Sequence, residues 1–200
     1  MIFRLLLALA LVAAVFVAGL FGGGGLVADQ SLVGDLAVWR GSNPETTSAL
    51  ILLTQLGGAP VLLTLAALAA IPIARRNRMA AVALIGTVLG GRFLIELMKL
   101  AVNRPRPAID SHAVSVFSQS FPSGHAGNSI MTYGAIALFA LPQRWRAAGL
   151  TAAVALSAAV GATRPILGVH WPSDVIGGWC LGALWLLVCW TVWKRPRRLA

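Results

Sequence analysis

AAVALIGTVLGGRFLIELMKLAV, residues 80–102, carries charge only at Arg92, Glu96 and Lys99. A hydrocarbon layer of roughly 30 Å is crossed by about 20 helical residues, so this stretch is long enough to span a bilayer. Its three charges fall four and three residues apart, on one helical face, and read as an ion-paired stripe that positions Lys99 near the end of the span.

Similar runs lie on both sides. Ile2 to Leu20 precedes it and reads as a first span or a secretory signal, the span being favoured. Thr46 to Ala74 has no formal charge and is interrupted by Gly57-Gly58-Ala59-Pro60, which predicts a kink or a late helix start. Downstream come Gly124 to Leu141, Ala147 to Thr163 and Asp174 to Trp193. The expected fold is therefore all-α: a six-transmembrane-helix bundle in a single domain, residues 1–200. Asp29 to Arg40, with Leu32, Val33, Leu36 and Trp39 at helical spacing, predicts a short interfacial helix after the first span.

Composition agrees. Of 200 residues 58% are apolar and 11% charged, and the mean hydropathy is +0.82, which places the chain in the membrane class and leaves no room for a separate soluble domain. The net charge of +10 does not point to nucleic acid. Arg75, Arg76, Arg78, Arg144, Arg146, Lys194, Arg195, Arg197 and Arg198 all flank apolar runs, as cytoplasmic flanks do. Alternate threading then puts both termini in the cytoplasm. Trp145, Trp190 and Trp193 fall near the inner interface and Trp39 and Trp171 near the outer one, as anchors or packing residues. Cys180 and Cys189 face apart on one apolar run, which argues against a disulfide or a metal site.

The remaining polar residues gather in two loops, 103–123 and 164–173, which alternation places on one outer face. Lys99, Arg104 and Arg106 lead into the first, Ser123-Gly124-His125 closes it, and Arg164, His170 and Asp174 frame the second. Clustered cations repel unless an anion lies among them, and phosphate suits forked donors well. Pro122-Ser123-Gly124-His125 has the grammar of a helix start, whose free N–H groups and dipole favour an anion; an ordinary capped helix start remains the bland alternative. His170 and Asp174 stand four apart, so a helix beginning near Pro172 lets the carboxylate approach the imidazole, for structure or for catalysis.

Together these residues resemble the type 2 phosphatidic acid phosphatase family, the membrane branch of a superfamily that includes vanadium haloperoxidases. Three blocks carry the likeness: Lys99, six residues, Arg106-Pro107; Pro122-Ser123-Gly124-His125; and Arg164, five residues, His170, three residues, Asp174. Thr163 stands where the family usually has serine, which keeps the hydroxyl.

The resemblance implies that His170 attacks phosphorus and forms a phosphohistidine, that Asp174 orients the ring, and that His125 protonates the departing oxygen. It implies that Lys99, Arg106, Ser123, Gly124 and Arg164 hold the phosphoryl oxygens. Neither a metal nor another cofactor is expected, because the two loops hold no carboxylate cluster beyond Asp110 and Asp174 and the cations supply the countercharge.

The expected activity is hydrolysis of a lipid phosphate or diphosphate, such as undecaprenyl diphosphate, phosphatidylglycerol phosphate or phosphatidic acid, at the periplasmic face of a bacterial inner membrane. A lipid phosphotransferase using the same histidine is the alternative, and a lipid or phosphate transporter ranks well below it. Membrane lipids are the surroundings, and no obligate protein partner is evident. Arg104 is left outside the phosphate cradle, as a helper or a head-group contact, and His112 reads as solvated.

Overall fold

A computed structural model describes residues 8, 10, 27–108 and 112–194 of the chain. The expected first span, Asp110 and the basic tail from residue 195 lie outside the described residues. Among those described, the regular structure is helical throughout: α1 (Val27–Ser42), α2 (Pro44–Gln55), α3 (Ala59–Arg76), α4 (Arg78–Val102), α5 (Gly124–Ala140), α6 (Gln143–Ile166) and α7 (Pro172–Trp193).

Four of these, α3, α4, α6 and α7, are long and apolar enough to cross a membrane. The expected fourth span is α5, shorter at 17 residues and enclosed by its neighbours, with Ala126, Asn128, Ser129, Met131, Thr132 and Ala135 among its buried residues. The charge-free stretch before Ala74 is two helices, α2 and α3, broken at Leu56-Gly57-Gly58. Gly57 and Gly58 donate N–H groups back to the carbonyls of Thr54 and Gln55, both at 2.9 Å, and Pro60 restarts the helix in its first turn.

Small residues let the central helices approach closely. A side chain at Gly182 would place its Cβ 2.6 Å from the carbonyl oxygen of Gly127, and one at Gly127 would reach 2.9 Å from that of Gly178, so α5 and α7 meet backbone to backbone. Ile95, Phe121, Met131 and Leu181 pack beneath one end of the bundle, and Leu84, Val88, Ala135, Leu138 and Leu186 fill the other. Outward, Leu68, Ile71, Leu89, Phe93, Leu97, Val154 and Val188 stay exposed, as side chains solvated by lipid do.

The helix ends sort the polar residues. Asn77 closes α3 and opens α4, its side chain accepting from the N–H of Ala80 at 3.1 Å. Here, at the end that also carries the α5–α6 turn and the close of α7, the cations of Arg146 and Lys194 each lie 5.2 Å from the Trp190 ring. At the opposite end Asn103 takes a left-handed conformation, φ 50°, and its N–H closes α4 on the carbonyl of Lys99.

The helix expected over Asp29 to Arg40 forms, but its attachment is not that of a helix merely lying on an interface. Its buried residues are Asp29, Val33 and Arg40. Arg40 donates through Nη1 to the carbonyl of Ile166 at 2.8 Å, beside Gly168, whose positive φ of 75° reverses the chain after α6. The two charged side chains tie α1 into the bundle because each meets a polar partner at the helix ends.

Candidate active site

The closing turn of α4 delivers Lys99, whose ammonium lies 3.4 Å from the Glu96 carboxylate, as the one-face spacing predicts, and donates to Ser118 Oγ at 3.0 Å. The 103–123 loop folds back over this end and is fastened by the Ser120 N–H to the Arg104 carbonyl, 2.9 Å. Arg106 spans two loops. Its Nε donates to the Ser118 carbonyl at 2.7 Å, and its Nη1 donates to the Val169 carbonyl at 2.5 Å and to Nε2 of His170 at 3.2 Å.

That last contact fixes a tautomer. A guanidinium only donates, so Nε2 of His170 carries the lone pair and Nδ1 the proton. Nδ1 then faces the Asp174 Oδ2 at 3.4 Å. Asp174 is held independently: Oδ2 accepts from the Trp171 N–H at 2.8 Å and from the Ser120 hydroxyl, the first of these being the reach-back of an acidic N3 residue to its N-cap. His170 is 2% exposed. Burial, then the charges of Arg106, Arg164 and Lys99, hold its pKa well below the ordinary imidazole value, so the ring is neutral at neutral pH. Burial also lowers Arg106 from its usual value, with Asp174 opposing.

The start of α5 faces the same space. Ser123 is the N-cap and is fully buried, yet its hydroxyl makes no cap and has no partner among the described residues. Its N–H is held by the Asp174 carbonyl at 2.9 Å. A Cβ on Gly124 would stand 3.7 Å from both Lys99 Nζ and Asn128 Nδ2, so the glycine keeps backbone and ammonium close. His125 lies within electrostatic reach of Arg164, His170, Lys99 and Arg106, and Gly57 of the α2–α3 break passes so near that a Cβ there would stand 3.2 Å from its ring. Arg164, buried at the end of α6, donates through Nη1 to Thr54 Oγ1 of α2 at 2.8 Å and leaves Nε without a partner. Lys99, Arg106, Ser123, Gly124, His125, Arg164, His170 and Asp174 thus lie at one end of the bundle.

One residue departs from the sequence reading. Arg104 neither faces the cradle nor reaches outward: it is 3% exposed, and its Nη1 donates to Asp174 Oδ1 at 2.7 Å and to Ser173 Oγ at 2.8 Å. Its Nη2 pairs with Asp29 at 3.1 Å. The correction follows from charge: a buried guanidinium needs carboxylates, and two are present. Trp171 takes the packing role of the two expected for it, buried with Nε1 donating to the Pro105 carbonyl at 3.0 Å. His112 stays exposed, as expected, and donates through Nε2 to the Pro107 carbonyl at 2.8 Å. Asp29, Thr54, Ser118, Ser120 and Asn128 were not singled out from sequence; Asp29 carried a signal, as an acid opening an otherwise apolar-faced helix. Among the described residues no group of three His, Cys, Asp or Glu side chains is arranged so that it could hold a metal ion.

The PAP2 superfamily model matches residues 80–198. A lipid A 1-phosphatase of Rhizobium johnstonii is 36% identical over 119 residues, covering 54% of this chain and 46% of its own. A decaprenylphosphoryl-5-phosphoribose phosphatase of Mycobacterium tuberculosis is 40% identical over 124 residues, 60% of this chain and 65% of its own. The phosphatidylglycerophosphatase B of Bacillus subtilis is 36% identical over 99 residues, 46% and 48%. The chain thus matches between 46% and 65% of these relatives' lengths. The fold is similar to that of the crystal structure of a transmembrane PAP2-type phosphatidylglycerolphosphate phosphatase from Bacillus subtilis, with a TM-score of 0.87 at 24% identity over 96% of this chain and 98% of that one.

Proposed function

Because this chain belongs to the PAP2 superfamily, we propose that it is a membrane enzyme that hydrolyses a phosphate monoester or diphosphate carried by a lipid, through a phosphohistidine at His170. The observation that carries the reading is the state of His170: neutral, with its proton directed at Asp174, its lone pair at Nε2, and cations on the side of that lone pair. Such a ring is a nucleophile aimed at an oxyanion.

Nε2 of His170 attacks phosphorus, forming an N–P bond as the bond from phosphorus to the lipid oxygen breaks. His125 gives a proton to that departing oxygen. Lys99, Arg106, Arg164, the Ser123 hydroxyl and the N–H groups at Gly124 hold the three equatorial oxygens, whose charge spreads in the transition state. Arg106 moves from Nε2 to a phosphoryl oxygen as substrate enters. Water then attacks phosphorus and passes a proton to His125; the N–P bond breaks, and phosphate leaves with His170 neutral again. The cradle's own charges do the work assigned elsewhere to a metal.

In this reading the spans number six: the four long apolar helices, α5, and the apolar run at residues 2–20, which lies outside the described residues. The end with Arg75, Arg76, Arg78, Arg144 and Arg146 faces the cytoplasm and the cradle faces outward. The relatives' names share a phosphate borne by a membrane lipid and differ in the rest of the head group, which is what a cradle specific for the phosphoryl group alone permits.

The test is phosphate release by the purified chain from phosphatidic acid, phosphatidylglycerol phosphate and undecaprenyl diphosphate, with chelator present. We expect release from at least one and none by His170→Ala. Parental rates in that variant on every lipid, or activity that disappears with chelator, would refute the mechanism. Counting phosphate transferred to an added acceptor lipid separates a phosphotransferase from a hydrolase.

A further inference from the structure

Behind His170, on the side away from the cradle, lies a chain of buried charges that the proposed reaction does not use. Asp29 of α1 accepts the Ser173 N–H at 3.2 Å through Oδ1 and, through Oδ2, the Ser173 hydroxyl and Arg104 Nη2. Arg104 passes its second nitrogen to Asp174 Oδ1 at 2.7 Å, and Asp174 presents its other oxygen to His170. Asp29, Arg104, Ser173 and Asp174 are all buried. Arg104 also lies 5.8 Å from the ring centre of Trp171, the residue whose N–H fixes Asp174 from the far side.

Two carboxylates share one guanidinium, and that arrangement has consequences. Arg104 occupies Oδ1 of Asp174 and, together with the Trp171 N–H and the Ser120 hydroxyl on Oδ2, holds the carboxylate in the rotation that faces the imidazole. Arg104 also draws charge away from the Asp174–His170 pair, while Asp29 offsets part of the Arg104 charge. Asp29 therefore acts on His170 at two removes.

We infer that Asp29 and Arg104 are positioning residues for the nucleophile: Arg104 orients Asp174 against His170, and Asp29, on the N-terminal helix, balances Arg104. The inference rests on the phosphohistidine reading above. It gives α1 a role in the reaction, although α1 precedes the segment matched by the family model, residues 80–198.

Charge makes the two partners distinguishable. The groups facing His170 are the cations Arg106, Arg164 and Lys99, with His125, on the cradle side and Asp174 on the other. Neutralising Asp29 leaves Arg104 less compensated and makes the ring harder to protonate. Neutralising Arg104 leaves Asp174 more strongly felt and makes it easier. One pair thus yields opposite displacements of the acid limb of the rate profile, a signature that loss of packing does not produce.

The experiment uses the full chain and whichever of phosphatidic acid, phosphatidylglycerol phosphate and undecaprenyl diphosphate it hydrolyses fastest, with kcat and KM measured from pH 4 to 8. Asp29→Asn is expected to lower kcat roughly tenfold to a hundredfold, as a misplaced reacting group does, with KM little changed and the acid limb moved to lower pH. Arg104→Gln is expected to move that limb to higher pH. Arg104→Lys, which keeps a cation but cannot bridge two carboxylates, should lose rate with the limb near its parental position. Should Arg104→Gln fail to fold, the near-isosteric Asp29→Asn and Arg104→Lys carry the test. Folded variants with parental kcat and an unmoved limb, or limbs moved the same way, overturn the inference. His170→Ala separates the two readings: if it is inactive while these variants behave as the parent, only the positioning role falls; if it stays active, the reaction itself was misread.

Discussion

Nη1 of Arg106 reaches Nε2 of His170 across 3.2 Å, so a cation stands at the lone pair that the reaction needs. A point charge on a flexible stem cannot also keep the contacts of Arg106 to the carbonyls of Ser118 and Val169. Arg106→Lys should therefore lower kcat/KM by about a hundredfold, the loss typical of removing one oriented donor from an oxyanion. Steady-state phosphate release checks it; less than a threefold change would mean that charge alone suffices.

The acid limb of kcat/KM follows from the environment of His170. Burial and the charges of Arg106, Arg164 and Lys99 push its pKa well below the ordinary imidazole value. The active form is the neutral ring, so rate falls only as pH drops through this lowered value. Activity should hold from pH 7 to below 6.5 and decline at more acid pH. A profile already falling between pH 7.5 and 6.5 because a single group protonates would contradict the lowered pKa of His170.

Thr54 provides the acceptor that aims Arg164, 2.8 Å away. Thr54→Val keeps the shape and removes the hydroxyl, leaving a buried guanidinium with one partner fewer. A lost bond to a charged group costs about 1.5–3 kcal/mol, which as a barrier is roughly a tenfold to hundredfold loss of rate. Thr54→Ser should restore most of it. Equal rates for all three would show that Arg164 needs no help from α2.

Gly178 lies under the start of α5, where a Cβ would stand 2.5 Å from the carbonyl oxygen of Ser123. The obstacle is backbone and cannot swing aside, so Gly178→Val has to part α5 from α7. Overpacking of this kind costs typically about 1–3 kcal/mol. A lower melting temperature in detergent, with activity lost even on the fraction that remains folded, is the expected result. An unchanged melting curve would mean that α5 and α7 do not need the close approach at Gly178.

Much of the candidate site was readable in the sequence because its residue types recur at fixed spacings. The convergence of Lys99, Arg106, His125, Arg164, His170 and Asp174 at one end follows from alternating apolar runs, and the break at Gly57-Gly58 followed from glycine and proline. What could not be read was pairing across distance. Nothing near Asp29 announces Arg104, and nothing near Thr54 announces Arg164; helical periodicity sorts a residue to a face but does not name the neighbour it will meet. Arg104 was misassigned for that reason, and α1 was given a surface role because its apolar spacing outweighed a single buried acid. The tryptophan at position 171 was similarly ambiguous, since an indole prefers an interface and a buried carbonyl partner alike.

The arginines at 104 and 164 each lean on a residue that precedes position 80, and this bears on any attempt to cut the molecule down. Grafting residues 80–198 onto a foreign bundle would carry every recognisable motif while taking one partner from each of two buried guanidinium groups. Such a chimera would be expected to misfold or to stay inert, even though its alignment to active relatives over the grafted part remained intact.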